Sequence, residues 1–264
     1  MSKRHMPIYS GRMTATALRT PPTIPTRPHP VHWALAASAL LLGSAALQLV
    51  ASLQRWVWLR NSWTRTDITI EDSRFEYFWP ADPWENLGGT AQLYGAGFLL
   101  LAAAIVAMAR SVHRGEHNKR RGDYVLAIIV AASFALTGAH ALLSGLLDAP
   151  TPLQFLPVQM ILGVIGFVGL LVLVAWWFLD AWAVSLAAFL LLGSSMFGYL
   201  VAAFVIAPEI TGYQSHDTTP WTETIVATFT AAAAVAMLVQ VGVAALLKHE
   251  RNLVPPVALR APQP

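Results

Sequence analysis

Residues 158–207 read VQMILGVIGFVGLLVLVAWWFLDAWAVSLAAFLLLGSSMFGYLVAAFVIA, fifty positions with one charged side chain, Asp180. A helix crosses ~30 Å of hydrocarbon with about 20 apolar residues, so this stretch holds two crossings. Asp180 lies near its middle. A carboxylate left at the bilayer centre costs at least ~2.5 kcal/mol. A tight hairpin that returns Asp180 to the interface avoids that cost and gives spans at about 157–179 and 182–207.

Working outward, the same criterion finds spans at about 31–53, 89–110, 123–147 and 222–247, six in all. Their interiors contain no proline, whereas Pro30, Pro80, Pro83, Pro150, Pro152, Pro157, Pro208 and Pro220 stand at the margins. Breakers at the edges and none inside predict uninterrupted helices. The chain is 56% hydrophobic and only 12% charged, against about 25% charged in a soluble domain. The expected fold is therefore all-α, a polytopic six-span transmembrane bundle over 31–247. A basic tail with six prolines, 1–30, is expected to be disordered, and 248–264 reads as a second tail. A cleaved signal peptide ending near Ser52 is the competing reading of the first span, but the apolar run is longer than such segments use.

Basic residues set the expected orientation. Thirteen of 17 lie in the N-terminal tail, the 110–121 segment and the C-terminal tail, which six spans place on one side. The other four fall in the 54–88 loop, among six acids. The positive-inside rule then makes both termini cytoplasmic. Tryptophans agree. Trp33, Trp176, Trp177 and Trp182 fall at the inner interface, while Trp56, Trp58, Trp63, Trp79, Trp84 and Trp221 fall at the outer one or in the loop. Arginine over lysine, with abundant Ala, Val, Leu and Gly, is the bias of a GC-rich genome. It points to a bacterial plasma membrane.

The 54–88 loop is about 35 residues long. Asp67–Glu71 and Arg74–Tyr77 alternate polar and apolar around Asp72-Ser73, the pattern of a short β-hairpin lying on the helix ends. Its Trp79, Asp82, Trp84 and Glu85 form a candidate recognition surface. A lid anchored by interfacial aromatics explains the same residues.

Span three carries Ser133, Thr137, His140, Ser144 and Asp148, which fall within about 80° of one another at 100° per residue. Gln48, Gln92, Gln159 and Tyr199 repeat that depth on other spans. Together they predict a polar vestibule in the outer half, roofed by the loop. An ionisable residue within a span is a functional hypothesis by default, and His140 is the clearest case. The competing reading is a structural histidine bonded to a neighbouring helix.

Cofactors and metals find little support. His140 has no second histidine at its depth, so a bis-histidine haem is not expected. Asp148, Glu209, His216, Asp217 and Glu223 have oxygen and imidazole donors suited to a divalent cation but no ligand spacing. With no cysteine, thiolate sites and disulfides are excluded. Phosphate-loop, zinc-protease and nucleophile-elbow motifs are absent. Small-residue stripes at Gly163, Gly166 and Gly169, at Ala131, Ala135 and Ala139, and at Ser194 and Gly198 read as helix-packing faces.

The reading is a multi-pass protein with the lipid bilayer as its partner. It is a non-enzymatic membrane subunit or binding protein, joined to a membrane-protein partner or to copies of itself, with no nucleic-acid role. A small-solute or lipid transporter is the alternative. A lipid-modifying enzyme using Asp82 and Glu85 is the third.

Overall fold

The computed structural model describes residues 31–59, 74–112, 117–212 and 219–253. The 1–30 tail, the Asp67–Glu71 half of the expected hairpin, His216 and Asp217 lie outside them. The described residues are helical apart from short connections, and no strand occurs among them. Arg74–Tyr77, the other half of the hairpin, runs as a turn followed by irregular chain.

The helices are α1 (Val31–Leu53), α2 (Thr90–Ser111), α3 (His117–Leu147), α4 (Leu156–Trp177), α5 (Trp182–Leu190), α6 (Met196–Val201), α7 (Ala207–Thr211) and α8 (Thr222–Leu253). Long apolar runs without interior breakers favour helix because each backbone group is satisfied within its own segment. Five helices are long and apolar enough to cross a membrane, and α5 with α6–α7 makes a sixth if that bent pair is one crossing. The chain is thus compatible with a multi-pass membrane protein. Helix α8 continues to Leu253, six residues past the expected end of the last span at 247.

Helices α1 to α5 each pack on the next, and α8 returns against α1 and α5, which closes the bundle. Apolar side chains turned outward, such as Ile161, Val164 and Val168 of α4, are the surface a lipid environment accepts. At the α4–α5 junction the chain turns at 178–180 and leaves Asp180 exposed.

Glycine sets the closest contacts. A Cβ at Gly138 of α3 would lie 2.8 Å from the Gly95 carbonyl oxygen of α2, and one at Gly95 would meet the Leu142 amide. Helix backbones touch there, as small residues permit. On the α3–α4 face, Gly169 receives Val130 and Gly166 receives Ser133 and Phe134.

The expected uninterrupted span at 182–207 is corrected by the structure. A 3₁₀ turn at Leu191–Ser194 separates α5 from α6, and the two halves meet at 60°. No proline is involved. The Ser195 hydroxyl donates to the Leu192 carbonyl (2.6 Å) and accepts from the Gly198 amide (3.2 Å), so it caps α6. Gly198 lies directly on Leu192 and Gly193, where a Cβ would collide with backbone. Glycine–serine clusters bend helices because the side chain offers the backbone an alternative partner.

Candidate functional site

The bundle end that carries residues 74–89 holds the polar chemistry. This segment, the cap, dips into the bundle. Tyr77, Phe78 and Trp79 are all buried within the core. Phe78 stacks on Tyr199 of α6 at 4.4 Å between centroids, and Tyr77 meets Tyr94 of α2 edge-on at 5.2 Å. Trp79 lies 4.5 Å from the His140 ring.

His140 explains how the cap is held. Its Nε2 donates to the Pro80 carbonyl (2.9 Å), and its Nδ1 shares a hydrogen bond with the Thr151 hydroxyl (2.7 Å). A carbonyl can only accept, so Nε2 carries a proton. The Thr151 amide donates to Ser144 Oγ (3.2 Å). One turn on, the Gly145 carbonyl accepts from Asn86 (3.1 Å) and from Gln92 (2.6 Å). Carbonyls near a helix C-terminus lack intrahelical partners, and the cap and α2 supply them here.

A second anchor was not foreseen from sequence. Arg55, in the π-helical turn that follows α1, donates from Nη1 to Glu223 Oε1 of α8 (2.9 Å). Trp56 Nε1 donates to the other Glu223 oxygen (2.7 Å). Arg55 and Glu223 are 2% and 0% exposed, so the pair is fully desolvated. Glu76 of the cap lies 3.9 Å from Arg55 and accepts from the Tyr199 hydroxyl (2.8 Å) and the Phe78 amide (2.8 Å). Burial, and then Glu223, push the Tyr77 hydroxyl well above the usual tyrosine range against the opposing pull of Arg55, so it stays protonated. The signal in the sequence was faint but present. An arginine closes the first apolar run and a glutamate opens the last, at the same bundle end.

The expected vestibule residues separate into groups. Ser133, Thr137, His140 and Ser144 all face inward and are buried, whereas Asp148 is exposed with a left-handed φ of 52° at the end of α3. Ser133, Thr137 and Gln159 line one cavity with Phe78 and Trp79 of the cap and Ser194, Ser195 and Met196 of the bend. Gln48 is buried and donates to Ser44 Oγ within α1 (2.9 Å). His140 and Tyr199 bond the cap, Gln92 bonds the Gly145 carbonyl and Ser144 accepts from Thr151, and none of the four is among the lining residues.

The expected recognition surface also divides. Trp79 is turned inward at 5% exposure, because His140 and Pro80 fix it beneath the cap. Asp82 and Glu85 remain exposed, and Trp84 is half-buried. The Trp84 indole donates to the Glu76 carbonyl (2.8 Å), Asp82 exchanges two hydrogen bonds with Gln154, and Glu85 pairs with Arg74.

Glu223 is committed to Arg55, and Asp148 and Glu209 are exposed. No group of three or more His, Asp or Glu side chains suited to a metal occurs among the described residues. No family model, curated protein or solved structure matches the chain.

Proposed function

We propose that the chain is a multi-pass membrane protein that binds rather than transforms, a non-enzymatic membrane subunit or binding protein whose cap and helix faces contact a partner. One observation carries this reading. The cap is pinned at both sides, by Glu76 toward Arg55 and Tyr199 and by Pro80 on His140, and it holds Asp82, Trp84 and Glu85 at the surface in fixed geometry. Preorganised aromatic and charged groups bind with less ordering cost than a free loop. Purification in mild detergent followed by native mass spectrometry tests it. A stoichiometric protein partner that is lost in Trp84→Ala/Glu85→Ala supports the reading. Recovery of the bare chain, or a partner indifferent to those changes, removes it.

A second reading, a small-solute transporter, is favoured by the broken α5–α6 span and the cavity beside it. Interrupted helices in membrane proteins commonly mark binding sites, because irregular backbone is tolerated where it lines a cavity. Uptake into proteoliposomes is its test.

A further inference from the structure

The cavity beneath the cap is a narrow slot with room for a few heavy atoms at most. Its walls come from the cap, α2, α3, α4 and the bend between α5 and α6.

One lining residue, Trp79, keeps a polar group that the fold leaves over. Trp79 Nε1–H is buried and has no hydrogen-bond partner among the described residues. Buried donors are rarely left unpaired, and one that lacks a partner calls for an explanation. Two other lining residues carry hydroxyls: Ser133 donates to the Val130 carbonyl (2.7 Å) and Thr137 to the Ser133 carbonyl (3.0 Å). With their protons committed to backbone, both oxygens keep lone pairs for an incoming donor. The remaining surface is largely apolar, with Phe98, Phe134 and Leu162. No lining residue is charged, so an ion would enter without a counter-charge, at high desolvation cost.

We propose that this cavity binds one small uncharged molecule that carries both a hydrogen-bond acceptor and a donor, such as a primary amide or short alcohol. The Trp79 indole anchors its acceptor, and Ser133 or Thr137 receives its donor. The inference deepens the solute-handling reading by naming a ligand class, but it requires binding only and not transport.

The test uses the full chain in detergent with ¹⁵N-labelled tryptophan. The Trp79 indole resonance is assigned by its loss in Trp79→Phe, which keeps an aromatic roof. Acetamide and 1-propanol are titrated, with acetate and propylammonium as charged counterparts. The expected result is a saturable shift of the Trp79 resonance with the neutral probes and none with the ions. Stabilisation by acetamide in thermal unfolding should weaken at least tenfold in Trp79→Phe. It should also weaken in Gly166→Ala, whose Cβ would lie 3.1 Å from Ser133 Oγ and narrow the slot. If Trp79→Phe does not fold, Thr137→Val carries the comparison. Linear shifts, equal response to the ions, or a Trp79 indole that contacts only slowly exchanging water overturn the proposal. Acetamide binding without uptake into proteoliposomes removes transport and leaves the site. Uptake with an unmoved Trp79 resonance removes the site and leaves transport.

Discussion

His140 sits on an otherwise small and hydroxylic face of α3, and both of its nitrogens are used to hold other segments. Its depth and inward direction were legible from the helical spacing of Ser133, Thr137, His140 and Ser144. Its partners were not, because Pro80 is 60 positions away and Thr151 lies beyond the end of the helix. His140→Leu keeps bulk but strands the Pro80 carbonyl and the Thr151 hydroxyl. Each buried group left unpaired costs about 1–3 kcal/mol, so thermal unfolding in detergent should begin well below wild type. Asp148→Asn, at the exposed position that follows the same helix, should stay within about 0.5 kcal/mol. An unchanged midpoint for His140→Leu would show that the cap does not depend on it.

The Arg55–Glu223 pair tests a different balance at the same scale. Removing one partner of a buried ion pair costs about 3–5 kcal/mol, while replacing both with apolar groups often costs little. Glu223→Leu alone should therefore destabilise strongly, and Arg55→Met/Glu223→Leu should recover much of the loss, as read by the same unfolding midpoints. A double variant as weak as the single one would mean that Trp56 and Glu76 need the charges themselves.

At the scale of elements, five helices long and apolar enough to cross a membrane were legible because hydropathy and length decide them without reference to neighbours. The sixth was legible in extent but not in shape. Its bend depends on Gly198 meeting Leu192 and Gly193, and on Gly193 facing Phe229 of α8, contacts that no single-helix pattern carries. The α2–α3 contact through Gly95 and Gly138 was missed for the same reason, since the glycines of neither helix recur at the three- or four-residue spacing of a stripe. Gly138→Ala should cost about 1–3 kcal/mol, the usual penalty for overpacking, because backbone rather than a side-chain tip stands in the way. Gly122→Ala and Gly242→Ala add a Cβ within helices where nothing lies within 4 Å. There the lower backbone entropy of alanine should leave stability unchanged or raised by up to about 1 kcal/mol. Equal effects at all three positions would remove the close-packing argument.

For the whole molecule, orientation in the membrane remains a prediction from charge. The chain has no native cysteine, so single substitutions report access cleanly. Glu85 on the cap and Arg121 at the opposite end of α3 are both exposed and suit the purpose. In intact cells, Glu85→Cys should react with a membrane-impermeant thiol reagent and Arg121→Cys should not. The reverse pattern would invert the topology.

The sequence by itself determined the all-helical class, the approximate extents of the long apolar helices and the inward face of α3. Those follow from hydropathy, breaker placement and the 3.6-residue period, which are local properties of the chain. Only the tertiary structure decided that Arg55 meets Glu223, that His140 supports the cap, that Trp79 faces inward, and that the α5–α6 span bends. Each of these depends on which distant groups approach within hydrogen-bond or van der Waals distance. The physical reason is that a buried polar group must find a partner wherever the fold places one. In this chain the partners of Arg55 and His140 lie up to 168 positions away.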